Sequence, residues 1–254
     1  MESITSRRNP LITQFRRLAE DRSARREEGL FLGQGQKLLD EALASGCLPE
    51  TVLFSGEEPK LPVQVRRVPA AKELLAWISP MKSAPELIFS VRIPADAGLP
   101  LGRLLFAEDM QDPGNVGTMI RTAAAFGFDG VLLAGACADP WGPKAVRASM
   151  GAVFRLRILE RDSVTAALND LSEANLPLYA AALSENSETA GRIAFPLRMA
   201  LAVGNEGHGL SAAVMQSAQT IVRTPMAPGA ESLNAAAAAA VLMWEAYRGR
   251  EEHV

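Results

Sequence analysis

Met199-Ala200-Leu201-Ala202-Val203-Gly204-Asn205-Glu206-Gly207-His208-Gly209-Leu210-Ser211 passes from five apolar residues directly into a polar turn that carries three glycines. A short, continuously apolar run of this kind reads as a strand buried on both faces. A second stretch repeats the plan. Ile221-Val222 lead into Pro225-Met226-Ala227-Pro228-Gly229-Ala230-Glu231-Ser232-Leu233-Asn234, and a helix made largely of alanine follows. Glycine lets main chain pass close to a ligand and turn its N–H groups towards it. Buried strand, polar turn and helix together form the repeating unit of a parallel α/β sheet.

The same alternation extends to both sides of these turns. Strands are expected at Arg103–Ala107, Gly130–Leu133, Pro177–Leu183, Met199–Val203 and Thr220–Arg223, separated by helices at Val116–Phe126, Gly142–Met150, Ser163–Ala174, Ser211–Ser217 and Ser232–Tyr247. Towards the N-terminus, Leu11, Ile12, Phe15, Leu18 and Ala19 recur at helical spacing and predict one amphipathic helix over Pro10–Arg26. Short α/β pieces follow: Leu30–Leu32, a helix over Lys37–Ala44, Thr51–Ser55, Val63–Val68, a helix over Ala70–Trp77, and Glu86–Ile93. The run Pro94-Ala95-Asp96-Ala97-Gly98-Leu99-Pro100 reads as a linker, which gives a small α/β domain over 1–97 and a larger one over 98–254.

With 254 residues, 48% of them apolar and 22% charged, the chain has the composition of a folded globular protein. Its net charge of −3 is unevenly spread: Arg7, Arg8, Arg16, Arg17, Arg22, Arg25 and Arg26 face only Glu2, Glu20 and Asp21 in the first part of the chain. This basic patch suits a polyanionic partner, or else forms a solvated helix face. Cys47 and Cys137 stand apart, with neither sulfur nor histidine at ligand spacing, so neither a disulfide framework nor a metal site is expected. No apolar run approaches the roughly 18 residues that span a bilayer, and no leader is apparent, which makes the cytoplasm the expected compartment and a membrane an unexpected partner.

A third polar turn, Gln111-Asp112-Pro113-Gly114-Asn115-Val116-Gly117, follows the strand ending in Glu108-Asp109 and opens a helix bearing Arg121. Ligands of open parallel sheets gather at the carboxyl ends of strands, where all three turns are expected. The glycine order Gly204-x-x-Gly207-x-Gly209 is the reverse of a dinucleotide fingerprint, and no phosphate-loop lysine is present. Ser211 lacks a nucleophile-elbow setting, and the histidines are limited to His208 and His253, which leaves acyl transfer poorly supported.

Three stretches now carry a specific resemblance: Asn115-Val116-Gly117-Thr118-Met119-Ile120-Arg121-Thr122-Ala123, the turn Gly204–Ser211, and Glu231-Ser232-Leu233-Asn234-Ala235. They closely resemble, in order and spacing, the three motifs of the SpoU (TrmH-like) RNA ribose 2′-O-methyltransferases of the SPOUT superfamily. Lys144-Ala145-Val146-Arg147-Ala148-Ser149-Met150-Gly151-Ala152 resembles the segment between the first two motifs, so the likeness spans residues 101–254. The N-terminal region, with Asn9-Pro10 and Gly29-Leu30-Phe31-Leu32, is similar to the family's ribosomal-protein-like RNA substrate-binding domain. Gln34 departs from the glutamate that members commonly carry there.

The resemblance implies a C-terminal α/β knot, a deep trefoil, preceded by the smaller α/β domain. It implies S-adenosylmethionine as methyl donor, structured RNA (ribosomal, and next transfer RNA) as substrate, and a homodimer. Carried over residue by residue, the cofactor positions are Gly204, Thr224 and Leu233, with Asn205, Gly209 and Met226 nearby. Arg121 matches the catalytic arginine. Because a guanidinium keeps its charge, a role beside an RNA phosphate or a developing alkoxide suits it better than that of a general base. Asn115 would hold Arg121 or the ribose, Glu206 would orient the arginine or accept a proton, and Ser232 and Asn234 would shape the pocket. Helix capping by Asn115 or Ser232, and a structural ion pair at Glu206, stand as alternatives. Arg7, Arg8, Arg16, Arg17, Arg25 and Arg26 are the candidate RNA contacts. Two rival readings are an RNA-binding protein of this fold without catalysis and a nucleotide-cofactor oxidoreductase. The apolar end of the last helix suits either a dimer contact or an internal core.

Overall fold

Residues 3–79, 85–184, 186–227, 229 and 232–249 are described by a computed structural model. Pro228, Ala230 and Glu231 of the third motif, and His253, lie outside the described residues. Asn9 caps the first helix, α1 (Pro10–Glu20), by accepting from the Leu11 N–H at 2.9 Å. The single helix expected over Pro10–Arg26 is divided at Asp21. Its backbone is extended, its N–H closes α1 on the Arg17 carbonyl, and its carboxylate caps α2 (Arg22–Glu28) through the Ser23 N–H at 2.8 Å. One residue thus ends one helix and starts the next. There follow β1 (Leu30–Gln34), α3 (Gln36–Ala44), β2 (Thr51–Phe54), β3 (Arg66–Pro69), α4 (Lys72–Ile78) and β4 (Leu87–Arg92).

These strands form a sheet ordered β1-β4-β2-β3, in which β4 runs antiparallel to both neighbours and β2 parallel to β3. Register places Phe89 opposite Gly33, and a Cβ on Gly33 would fall 2.2 Å from the Phe89 ring. The aromatic ring therefore occupies the space that glycine leaves. Ile12, Phe15 and Leu18 of α1 and Leu74, Leu75 and Ile78 of α4 bury themselves against Leu30, Leu32, Leu53 and Ile88 of the sheet.

The second sheet begins with β5 (Arg103–Glu108), α5 (Pro113–Ala125) and β6 (Gly130–Ala134). The chain then contributes α6 (Pro143–Ala148) and a 3-10 turn, Ala152–Phe154, to the first unit. Residues 139–154 were read from the sequence as part of the 98–254 domain, yet the two compact units are Met1–Ala95 with Asp139–Phe154, and Asp96–Ala138 with Arg155–Val254. The reason is aromatic packing: Phe31 of β1 lies 5.1 Å from Trp141 and 5.9 Å from Phe154 between ring centroids, and Phe89 of β4 lies 6.3 Å from Phe154.

The second unit resumes with β7 (Arg157–Arg161), α7 (Val164–Glu173), β8 (Leu178–Ala181), β9 (Glu188–Thr189), β10 (Met199–Val203), α8 (Ala212–Ser217), β11 (Thr220–Arg223) and α9 (Ala235–Arg248). All seven strands are parallel, in the order β7-β6-β5-β10-β8-β11-β9. Every residue of β5, β6 and β10 is buried, as the unbroken apolar runs require. Strands β7 and β9 are additions to the sequence expectation, short edge strands whose charged residues hide the pattern. In the linker, Asp96 accepts from the Gly98 N–H and from Arg161, both at 2.8 Å, and these bonds hold its carboxyl below the usual range. No helix among the described residues is long and apolar enough to cross a membrane.

Candidate active site

Strand β10 stands between β5 and β8, so the turns that follow β5, β10 and β11 emerge at one edge of the sheet. A cavity of about 220 Å³ opens there, lined by Ala181–Leu183 after β8, Gly204, Asn205, Glu206 and Gly209 after β10, Thr224 and Met226 after β11, then Ser232 and Leu233, and Ala235, Ala238 and Leu242 of α9. All six candidate cofactor residues, Gly204, Asn205, Gly209, Thr224, Met226 and Leu233, thus border one space, together with Glu206 and Ser232 from the catalytic set.

The turn after β10 is held by close main-chain approach. A Cβ on Gly204 would fall 2.2 Å from the carbonyl carbon and oxygen of Gly209 and 2.5 Å from the Leu210 nitrogen, so no larger residue fits. Gly209 adopts φ +67° and donates to the Asn205 carbonyl at 2.8 Å. The Asn205 amide ties the turn in two directions. Its Oδ1 accepts from the Gly207 N–H at 2.7 Å and its Nδ2 donates to the Asp109 carbonyl at 3.0 Å. Glu108, only 2% exposed, accepts from the Ser211 N–H at 2.9 Å. Sequence reasoning placed Glu108 and Asp109 at a strand end without giving them a role. Here they anchor the cofactor-side turn to the neighbouring strand.

From Glu206 in the lining runs a line of side-chain hydrogen bonds to two amides outside it. Asn234 Nδ2 donates to Asn115 Oδ1 at 3.3 Å, and Asn115 Nδ2 donates to Glu206 Oε1. The three motifs are therefore joined by side chains far apart in sequence. Capping does not account for Asn115, because Asp112 caps α5 by accepting from the Asn115 N–H at 2.9 Å. Nor does Ser232 cap α9. Asn234 does so, accepting from Ala236 and Ala237 at 3.0 and 3.2 Å. Glu206 forms no ion pair among the described residues, and its partner is the Asn115 amide. Arg121 lies two turns along α5 from Asn115, exposed, without a hydrogen bond or ion pair among the described residues and outside the cavity lining.

The wall formed by Ala181, Ala182 and Leu183 was missed as a site feature, since an apolar strand end carries no motif. The alanine-rich helix, read from the sequence as packing, also supplies Ala235, Ala238 and Leu242 to the lining. Small side chains on α9 leave room for a ligand as well as for a close helix. Apolar walls together with exposed main chain around Gly204 suit an adenine ring and a sulfonium ligand, and the residues present fit S-adenosylmethionine.

The candidate RNA arginines divide. Arg7, Arg8, Arg17 and Arg26 are exposed. Arg16 is half-buried: it lies 5.1 Å from the Trp77 ring centroid, donates to the Trp77 carbonyl and pairs with Glu20. Arg25 must be removed from the surface set. It is 5% exposed, its guanidinium reaching Asp139 at 2.6 and 2.7 Å and the Leu18 carbonyl at 2.6 Å.

A parallel sheet whose polar turns converge on one such cavity defines an α/β enzyme of the cofactor-binding kind. The chain belongs to the SpoU rRNA Methylase family, which matches residues 102–244. Among its relatives, an uncharacterized tRNA/rRNA methyltransferase of Synechocystis is 34% identical over 97% of this chain and 93% of the relative. The 23S rRNA (uridine(2479)-2′-O)-methyltransferase of Streptomyces viridochromogenes is 32% identical over 97% and 92%. The crystal structure of the SpoU methyltransferase AviRb from the same organism, in complex with AdoMet, superposes with a TM-score of 0.84 at 29% identity, covering 96% of this chain and all of that one. The α/β fold and the S-adenosylmethionine cofactor inferred from the motifs agree with these matches. The protein is an S-adenosylmethionine-dependent methyltransferase.

Proposed function

We propose that this protein methylates a ribose 2′-hydroxyl in structured RNA, with ribosomal RNA the first candidate and transfer RNA the second. The observation that carries this reading is the hydrogen-bonded line Asn234–Asn115–Glu206, which ends at Glu206 in the lining of the cofactor-sized cavity. S-adenosylmethionine supplies an electrophilic methyl group on sulfur. The reaction forms the 2′-oxygen–methyl bond as the sulfur–methyl bond breaks, and the hydroxyl proton must leave the oxygen. The Glu206 carboxylate, oriented by Asn115, is the acceptor we assign to it. Ser232 and Asn234 shape the ribose side of the mouth. Arg121, once RNA is bound, stabilises a phosphate or the developing negative charge on the 2′-oxygen. A trefoil knot at the cofactor turns is part of the same reading, as the family implies.

Arg121→Ala tests the assignment. Methyl transfer to RNA should fall by about a thousandfold, the scale of losing one charge-stabilising group, while calorimetry with S-adenosylmethionine gives a near wild-type affinity. Undiminished transfer by the variant would remove Arg121 from the site.

A homodimer in the cytoplasm completes the proposal. Its support is the outward face of α9, where Trp244 is 45% exposed, stacks with Tyr247 and packs tilted against Phe126 beside an exposed Val241. Sedimentation at micromolar concentration should give twice the chain mass; a single-chain mass would refute the dimer.

A further inference from the structure

The first unit contains a cavity of its own, between α3 and α6. Its outer chamber, about 170 Å³, is lined by Gln34, Lys37, Leu38, Glu41, Arg147 and Met150. A deeper chamber of about 60 Å³ shares Gln34, Leu38 and Arg147 with it. Two left-handed residues build the α6 wall. Gly151 has φ +89°, and a Cβ there would fall 2.7 Å from the Glu41 Cβ, so glycine is what allows this turn to lie against α3. Met150 adopts φ 50°, a costly conformation for a residue with a long side chain, and holds that side chain 37% exposed at the rim.

Gln34, the position that departs from the family's common glutamate, lines both chambers. Its Oε1 accepts from the Ser79 hydroxyl at 2.8 Å. Its Nε2 is shielded from solvent and makes no hydrogen bond among the described residues. A buried donor left unmade is costly, so this amide is set for an acceptor. Around it stand two apolar side chains, Leu38 and Met150, two cations, Lys37 and Arg147, and the Glu41 carboxylate. A free phosphate would leave the apolar walls unused and meet Glu41. An apolar ligand would leave the Gln34 amide unmade. A flat ring with a carbonyl or ring-nitrogen acceptor, attached to a phosphate, uses the Gln34 amide, the apolar walls and the two cations together.

We propose that this chamber takes one unstacked base of the RNA substrate, its acceptor edge on Gln34 Nε2 and its flanking phosphates on Lys37 and Arg147. Sequence-selective RNA recognition commonly depends on bases splayed out of a loop or bulge in this way. The inference rests on the reading of RNA as substrate. It adds a nucleotide-selecting site outside the methyl-transfer centre.

The test uses the full chain and whichever unmodified ribosomal or transfer RNA the wild type methylates. Gln34→Glu keeps the acceptor for Ser79 but replaces the free donor with an acceptor. KM for RNA should rise about tenfold, with S-adenosylmethionine affinity as the readout of an intact fold. A photoreactive residue in place of Leu38 should crosslink to one unpaired nucleotide. An unchanged KM, or crosslinks scattered through paired regions, while the wild type still methylates, would overturn the chamber's role and leave the proposed function standing. A wild-type chain that methylates no RNA would overturn both.

Discussion

In the cavity of the second unit, a Cβ on Gly204 would collide with the Gly209 carbonyl at 2.2 Å; on the first helices, Arg17 and Arg26 are exposed at the surface. The cofactor side is defined by main chain, by glycine and by an amide line already hydrogen-bonded before any ligand is considered. The candidate RNA side consists of exposed long cationic side chains, with Arg17 3.7 Å from Glu27. Pre-organised main chain gives chemical selectivity towards one small molecule, whereas exposed charge gives long-range, salt-dependent attraction to a polyanion. The two regions should therefore respond to opposite perturbations.

The largest effect is expected from a single methyl group. Gly204→Ala forces apart the two ends of the turn at a cost of more than about 3 kcal/mol, so cofactor affinity should fall more than about a hundredfold. Calorimetry with S-adenosylmethionine reads this directly, and wild-type affinity would show that the turn is not the rigid cradle described here. The same arginine-to-alanine change in two surroundings gives the next contrast. Arg25→Ala leaves Asp139 buried without its cation and should lower unfolding stability by about 3 kcal/mol in urea. Arg17→Ala with Arg26→Ala should change stability by no more than about 0.5 kcal/mol each. That pair should instead weaken RNA binding a few-fold and reduce its salt slope by about one per residue. If Arg25→Ala proved silent in urea, or the surface pair left the salt slope untouched, the division between buried and exposed arginines would fail.

Most of the second sheet was legible because buried parallel strands cannot avoid unbroken apolar runs, as Leu104–Ala107 and Met199–Val203 illustrate. The turns were legible because glycine and asparagine have few other reasons to stand after such runs. Other features left no trace in linear order. Asp21 looks like one more polar residue on a helix face until its backbone is seen to leave the helix. Arg157–Arg161 carries no strand expectation because edge strands need little apolar content. The placement of residues 139–154 depends on Phe31 and Phe89, aromatic partners more than 50 residues away. Glu108 and the Ala181–Leu183 wall belong to the site by position alone.

Helix α9 has a further consequence. Ala235, Ala238 and Leu242 line the cavity, and near the other end of the same helix the Ala246 carbonyl accepts from Arg103, a fully buried guanidinium that also donates to Phe195 and Pro196 at 3.0 and 2.9 Å. Arg103 opens the first strand of the unit, and its charge has no water to turn to. Helix α9 thus supplies both an acceptor for that buried cation and a wall of the cavity, so a change that loosens this one helix disturbs both.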